Sequence, residues 1–323
     1  MQCRICRNST GNTPYTVREM MLGLKDAHRY FECARCGCLQ IEDIPADMSR
    51  YYPPDYYSVS ASPEAVGRNL GKALIRRLRD SYAAFGDGAA GRRLYSRFPN
   101  PALSLLARAG LSRRSRILDV GCGAGVLLHT LREAGAETTL GIDPYLAADI
   151  EYKNGLRIRK ATIEVVEGQW ELVMFHHSFE HLAEPRETLR QVKRLLAPGA
   201  SCLLRLPLAS SYAWRRYREH WVQLDAPRHF YLHSRESLRR LAEEAGFTIA
   251  EFVYDSTEFQ FWGSEQYAKG IPLSSPASYA KSPTRSLFSP VDIAYFRRRA
   301  RELNQEGQGD QAAFFLRRGS SPP

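Results

Sequence analysis

Apolar residues follow two rhythms along this 323-residue chain, and the alternation between them outlines its architecture. Short β-branched or apolar runs at Ile117-Leu118 with Val120, Thr139–Ile142, Leu156-Arg157-Ile158, Leu172-Val173-Met174-Phe175, Cys202-Leu203-Leu204 with Leu206, and Thr248–Val253 predict six strands. Between them, apolar residues recur at helical period. Val126-Leu127-Leu128 with Leu131 opens one helix, and Leu189, Val192, Leu195 and Leu196 share a face before Pro198-Gly199. Ser234 can cap a third helix, whose Leu238, Leu241 and Ala245 precede a terminating Gly246. Strands and helices in strict alternation predict an α/β, doubly wound and mostly parallel sheet covered on both faces. Ala312-Ala313-Phe314-Phe315-Leu316 adds a seventh strand near the C-terminus.

Outside that block the rhythm changes. Residues 64–110 carry Leu70, Leu74 and Ile75, then Leu103, Leu105 and Leu106, at helical spacing, and 258–310 hold Pro, Ser and charged helical material without a strand pattern. The strip Tyr51-Tyr52-Pro53-Pro54-Asp55-Tyr56-Tyr57 reads as an ordered connector whose aromatics lie on a neighbour, or as a strip facing substrate. The expected division is a lobe at 1–45, a connector and helical region at 46–110, and the α/β domain at 111–318 with an insertion at about 258–310.

Composition narrows the setting. Apolar content of 44% and charged content of 25% are those of a globular chain. With no run of 18 apolar residues and no secretory leader, neither a membrane span nor export is expected, and the cytoplasm is the default. Seven cysteines in a reducing compartment point to metal rather than disulfides. Cys3-x-x-Cys6 and Cys33-x-x-Cys36 have the spacing with which paired thiolates wrap a tetrahedral zinc. A zinc-ribbon lobe of that size is near the lower limit for folding alone, and a structural zinc supplies on the order of 10–16 kcal/mol. Cys38 could replace Cys36 or lie free, while Cys122 and Cys202 fall in core strands or at their edges. The net charge of +10 gathers at Arg113-Arg114 with Arg116, Arg215-Arg216 with Arg218, and Arg297-Arg298-Arg299 with Arg301. These clusters read as solvated helix faces ahead of a nucleic-acid surface.

The first strand runs into Asp119-Val120-Gly121-Cys122-Gly123-Ala124-Gly125, where three glycines let backbone turn tightly against a ligand. A dinucleotide fingerprint needs G-x-G-x-x-G, but here the third glycine comes one place early. G-x-G-x-G with an acid two residues ahead resembles motif I of the class I S-adenosylmethionine-dependent methyltransferases. The second strand ends on Asp143-Pro144, about 20 residues past the glycines, where a carboxylate would grip a ribose diol. The cofactor residues expected are therefore Asp119, Gly121, Cys122, Gly123, Gly125, Asp143 and Pro144, with His176 the least clearly placed.

In a doubly wound sheet, ligands sit beyond the carboxyl ends of the strands. Strand four delivers His176-His177-Ser178-Phe179-Glu180-His181 there. Methyl transfer to a hydroxyl or carbon acid needs a base, and histidine titrates near neutrality. His181 is the first candidate, His177 the second, and His229 in Asp225-Ala226-Pro227-Arg228-His229 a rival. Glu180 could orient an imidazole, contact cofactor, or serve as a structural first-turn acid. Arg228 could meet a phosphate or carboxylate of the acceptor, and Trp214, Tyr217 and Trp221 either pack or line its approach.

Taken together, the cysteine knuckles, the tyrosine strip, Asp119 to Gly125, Asp143, Glu180-His181-Leu182 and Asp225-x-Pro-Arg-His229 resemble a bacterial methyltransferase group with an N-terminal zinc-binding region that acts on sugars or related metabolites. The resemblance implies a seven-stranded Rossmann-like sheet with a reversed last strand, S-adenosylmethionine and structural zinc as cofactors, and a small-molecule acceptor. Pro198-Gly199-Ala200 departs from the usual Pro-Gly-Gly, and strand three offers no clear acidic contact for adenine. An RNA methyltransferase is the alternative suggested by charge, but no Asn/Asp-Pro-Pro-Tyr segment or cysteine follows strand four. A non-catalytic binding module is the other alternative. Nothing in the sequence sets the oligomeric state.

Overall fold

The computed structural model describes residues 1–53, 56, 58, 63 and 70–319. Near the N-terminus β1 (Thr13–Arg18), β2 (Ala27–Glu32) and β3 (Leu39–Ile41) pair antiparallel, and a distant two-residue strand closes this small sheet against β3. Among the described residues the next α-helices are α1 (Leu70–Phe85), α2 (Ala89–Arg97) and α3 (Pro101–Ala107), the last begun by a proline where the missing amide costs nothing. The expected helical region thus breaks into three, and its first residues, 64–69, lie outside those described.

The α/β block then runs β4 (Arg116–Val120), α4 (Val126–Ala134), β5 (Thr138–Ile142), β6 (Ile150–Glu151), β7 (Arg157–Arg159), β8 (Trp170–His176), α5 (Pro185–Leu195) and β9 (Leu196–Pro207). It continues through α6 (Tyr212–Tyr217), β10 (Tyr231–Leu232), which is the strand lent to the small sheet, α7 (Arg235–Glu244), β11 (Phe247–Tyr254), α8 (Phe259–Ala268), α9 (Pro290–Gln305) and β12 (Gln311–Arg318). The large sheet has the order β11-β12-β9-β8-β4-β5-β7-β6, with β12 antiparallel to both neighbours. The seven expected strands are all there, and two-residue β6 extends one edge. Pro198-Gly199 does not follow the helix as a loop: Leu196 already pairs with Trp170, and a register shift absorbs the proline and the left-handed Gly199.

Period-two alternation explains why both faces are covered. Along β8, Leu172 and Met174 pack with Leu103, Leu106 and Leu131 from α3 and α4. Val173 and Phe175 pack with Leu189, Val192 and Leu195 of α5 and Leu238 and Leu241 of α7 on the opposite face. Each such fully buried side chain contributes about 1.5–3 kcal/mol. The lobe has no comparable core of its own. Tyr30, Phe31, Leu39 and Ile41 share one cluster with Trp214, Trp221, Tyr231 and Phe261, and with Leu303 of α9. The helical insertion after β11 therefore supports the lobe. Among the described residues no helix is long and apolar enough to cross a membrane.

Candidate active site

Beyond β4 each glycine of the motif faces a different neighbour, and all three are left-handed, with φ of 74°, 55° and 74°. A Cβ on Gly121 would lie 2.5 Å from Ser178 Cβ, on Gly123 2.3 Å from the Ser58 carbonyl oxygen, and on Gly125 2.4 Å from Ile158 Cδ1. The Gly121 and Cys122 amides both donate to the Ile142 carbonyl, which fixes the loop to the end of β5. Asp143 then accepts from the Gly123 amide through Oδ2 and from the Tyr145 amide through Oδ1, at 2.9 Å each. Pro144 lies between these contacts. Asp119 is buried with Oδ1 unpartnered, and burial, reinforced by Asp143, pushes its carboxyl up to about 8. A glycine turn beside a buried acid with an unpartnered oxygen, at the carboxyl end of a parallel sheet, fits S-adenosylmethionine, which carries positive charge on sulfonium and ammonium. The Cys122 thiol donates to the Gly123 carbonyl, and burial holds it protonated.

His176 ends β8 and has its Nε2 3.1 Å from Arg205 Nη1, which ties it to β9. The next residue, His177, has a left-handed φ of 57°, an unusual conformation for a non-glycine residue that recurs at functional sites. Its Nε2 accepts from Arg205, and its Nδ1 stands 3.6 Å from Glu180 Oε1, an ion-pair distance rather than a hydrogen bond.

One 3-10 turn, Phe179–His181, follows. The His181 Nδ1 donates to the Arg228 carbonyl at 2.8 Å and lies 3.3 Å from the Tyr52 hydroxyl. The His229 Nδ1 donates to the Gln223 carbonyl at 2.7 Å, and the two imidazoles stand 4.8 Å apart, ring to ring. All three candidate bases therefore meet at Glu180. Burial alone would raise that carboxyl, but the imidazoles outweigh it, His177 foremost, and hold it at about 2. Burial, aided by His181, lowers His229 to about 4.

Arg228 does not serve the acceptor. Fully buried, it donates to both oxygens of Asp225, to Glu19 Oε1 at 2.8 Å and to the Tyr51 carbonyl at 3.3 Å. With four of its five N–H groups spent on protein acceptors and no exposed surface, it is not placed to meet a ligand; it locks the lobe, the connector and the 225–230 loop together. Trp214 and Trp221 are likewise buried, the latter donating to Asp310. Tyr52, offered by the sequence only as part of the tyrosine strip, stacks its ring on Tyr145 at 5.2 Å, and the carbonyl of Ser58, which the sequence does not single out, accepts from the Ala124 amide. The tyrosine strip was the one signal available for them; its Pro54, Asp55 and Tyr57 lie outside the described residues. The arginine clusters are engaged as solvated faces: Arg113 pairs with Asp87, Arg297 with Glu258, Arg299 with Glu302 and Glu306, and Arg218 lies over Trp214.

In the lobe, Cys3 Sγ is 3.6 Å from Cys36 Sγ and Cys6 Sγ 3.5 Å from Cys33 Sγ, with all four within 4.8 Å of one another. Four sulfurs at about 2.3 Å from a tetrahedral zinc would stand roughly 3.8 Å apart, so the donor set fits. Gln40 Nε2 and the Cys6 amide both donate to Cys3 Sγ, as donors to a thiolate do. Cys38 is buried outside the cluster, its thiol directed to the Leu39 carbonyl.

Residues 92–251 match the family model described as a methyltransferase domain. The chain is 28% identical over 179 residues to a ubiquinone biosynthesis O-methyltransferase of Psychrobacter arcticus, covering 48% of this chain and 68% of that protein. It is 33% identical over 108 residues to the enzyme of that name from Pseudomonas paraeruginosa, covering 30% and 46%. In the second case the match spans less than half of the relative. Among solved structures, an S-adenosylmethionine-dependent methyltransferase from Thermotoga maritima is similar with a TM-score of 0.41 and 18% identity, over 75% of this chain and 99% of that one. With the glycine turn, the acid after β5, the sheet order and the family match in agreement, residues 92–251 form a methyltransferase domain and the chain is an S-adenosylmethionine-dependent methyltransferase.

Proposed function

We propose that the chain methylates an oxygen, or an acidic carbon, of a small sugar-like or nucleotide-linked acceptor, with His181 as the base. The observation that carries this reading is the fixed tautomer of His181. With Nδ1–H committed to the Arg228 carbonyl, Nε2 keeps its lone pair at the carboxyl end of β8, and His181 is only half-buried. Bound S-adenosylmethionine supplies the electrophilic methyl group. Asp119, Gly121, Cys122, Gly123, Gly125, Asp143 and Pro144 hold it, and His176 lines the same rim. His181 accepts the proton of the acceptor hydroxyl, while His177 and His229, anchored by Arg205 and by the Gln223 carbonyl, set the field around Glu180. That the curated relatives are O-methyltransferases supports an oxygen acceptor.

Zinc on Cys3, Cys6, Cys33 and Cys36 belongs to the same reading, as does a cytoplasmic setting that keeps those thiols reduced. So does the division into a lobe at 1–45, a connector at 46–110 and a methyltransferase domain at 111–318 interrupted at about 258–310. The test is a screen of nucleotide sugars, glycans and phenolic metabolites with labelled S-adenosylmethionine. Transfer that disappears in His181→Ala, with cofactor affinity kept, supports the reading. Undiminished transfer in that variant excludes the base, and transfer only to RNA, weakening steeply with salt, would replace the acceptor class.

A further inference from the structure

We propose that Glu180, His181 and His229 form a binding site for one divalent transition cation, of the zinc, manganese or iron kind, at the acceptor end of the sheet and separate from the four cysteines. Potential ligand atoms of the three residues lie within 4.8 Å of one another, and Glu180 Oε1 is 3.8 Å from His229 Nε2. Tetrahedral bonds of about 2.0–2.2 Å to a central ion would set such atoms roughly 3.3–3.6 Å apart, so a pair at the outer limit would close by up to about 1.5 Å. Two histidines and one carboxylate are the ligand set of three-ligand sites that leave further positions open.

Two observations beyond spacing point to an ion. Glu180 has no exposed surface, yet neither carboxylate oxygen has a hydrogen-bond partner. A buried carboxylate in that state lacks either a proton or a cation. The cations nearby are committed elsewhere: Arg228 to Asp225 and Glu19, Arg205 to Asp255 and to His177 Nε2. Further, both proposed histidine ligands donate Nδ1–H to a backbone carbonyl, His181 to Arg228 and His229 to Gln223. Each ring is thereby oriented, with its other nitrogen available, as metal-ligating imidazoles are. His177 Nδ1, 3.6 Å from Glu180, stands as an outer partner of the carboxylate.

The inference rests on this geometry and not on the proposed acceptor. Its chemistry would alter that proposal, because an ion on the free nitrogen of His181 occupies the lone pair assigned to proton removal. In the loaded state, the ion would acidify a coordinated acceptor hydroxyl, whose proton would pass to solvent and not to the imidazole.

The experiment needs neither cofactor nor acceptor. The full chain is equilibrated with Zn2+ alone, desalted and analysed for metal, beside His229→Asn and Glu180→Gln. The wild type is expected to retain one cation per chain more than either variant, whatever the cysteines hold. Because Glu180→Gln could disturb folding, Co2+ is also titrated into wild type given a single equivalent of zinc, which the four cysteines take first. One further equivalent should bind, with a visible band lacking thiolate-to-cobalt charge transfer. Equal metal content in wild type and both variants, or no saturable cobalt band, would overturn the site. Failure to find methyl transfer would leave this result standing.

Discussion

The two halves of the sheet's carboxyl rim are built in opposite ways. The half proposed to hold the cofactor comes mainly from one contiguous unit, β4 to Tyr145, whose loop is held by its own amides on Ile142 and Asp143, with the Ser58 carbonyl on the Ala124 amide as a contact from outside it. The half proposed to take the acceptor is assembled from segments far apart: Glu19 of the lobe, Tyr51 and Tyr52 of the connector, Glu180 and His181 after β8, Arg205 of β9, and the 225–229 loop. A local unit can stay the same while the other half is rebuilt for new acceptors. The lobe then reads as a scaffold for the acceptor side, because β10, directly after His229, is one of its strands.

Zinc removal should separate the halves most sharply. Chelation, or Cys33→Ser, withdraws a stabilisation on the order of 10 kcal/mol from the lobe and, through β10 and Arg228, loosens the acceptor loop. Limited proteolysis should cut within 1–45 and near 225–233 while calorimetry still detects cofactor binding; protection throughout would break the comparison. Gly123→Val strikes the other half. Its Cβ meets the Ser58 carbonyl at 2.3 Å in a left-handed backbone, so affinity for S-adenosylmethionine should fall by more than about a hundredfold with the thermal transition kept. His181→Ala should lower methyl transfer by about 10²- to 10⁴-fold and leave cofactor affinity within about twofold.

Asp143→Ala removes charged hydrogen bonds worth about 1.5–3 kcal/mol, so binding should weaken roughly ten- to a hundredfold. The smallest effect concerns protons. Asp119, pushed up to about 8 by burial and by Asp143, is protonated at neutral pH before a cationic cofactor arrives. Binding should release up to one proton, seen as a heat that varies with buffer ionisation enthalpy, and affinity should rise with pH below about 8. For the free protein the sign is opposite. A carboxyl raised from its ordinary 3.8 favours the fold most below that value, and the contribution is lost as pH climbs through about 8.

The same contrast explains what could be read from the chain. The glycine turn, Asp143 and the strands were legible because their signals are local: backbone conformation, a twenty-residue spacing, an apolar period. Cys3, Cys6, Cys33 and Cys36 were legible as two spaced pairs, and Cys38 became placeable only once β3 positioned it beside them. Arg228 was misread because a lone arginine in a polar loop resembles an anion clamp, whereas its partners Glu19 and Asp225 meet only in three dimensions. Tyr52 and the shared carboxylate of Glu180 depend likewise on contacts between segments more than 100 and about 50 residues apart in sequence.

Whether the glycine turn holds the methyl donor is decided by calorimetric titration of the full chain with S-adenosylmethionine. One saturable site per chain is expected, with a dissociation constant in about the micromolar range, weakened by more than about a hundredfold in Gly123→Val and retained in His181→Ala. Absence of saturable binding below about 1 mM, or equal binding by the Gly123 variant, would contradict it.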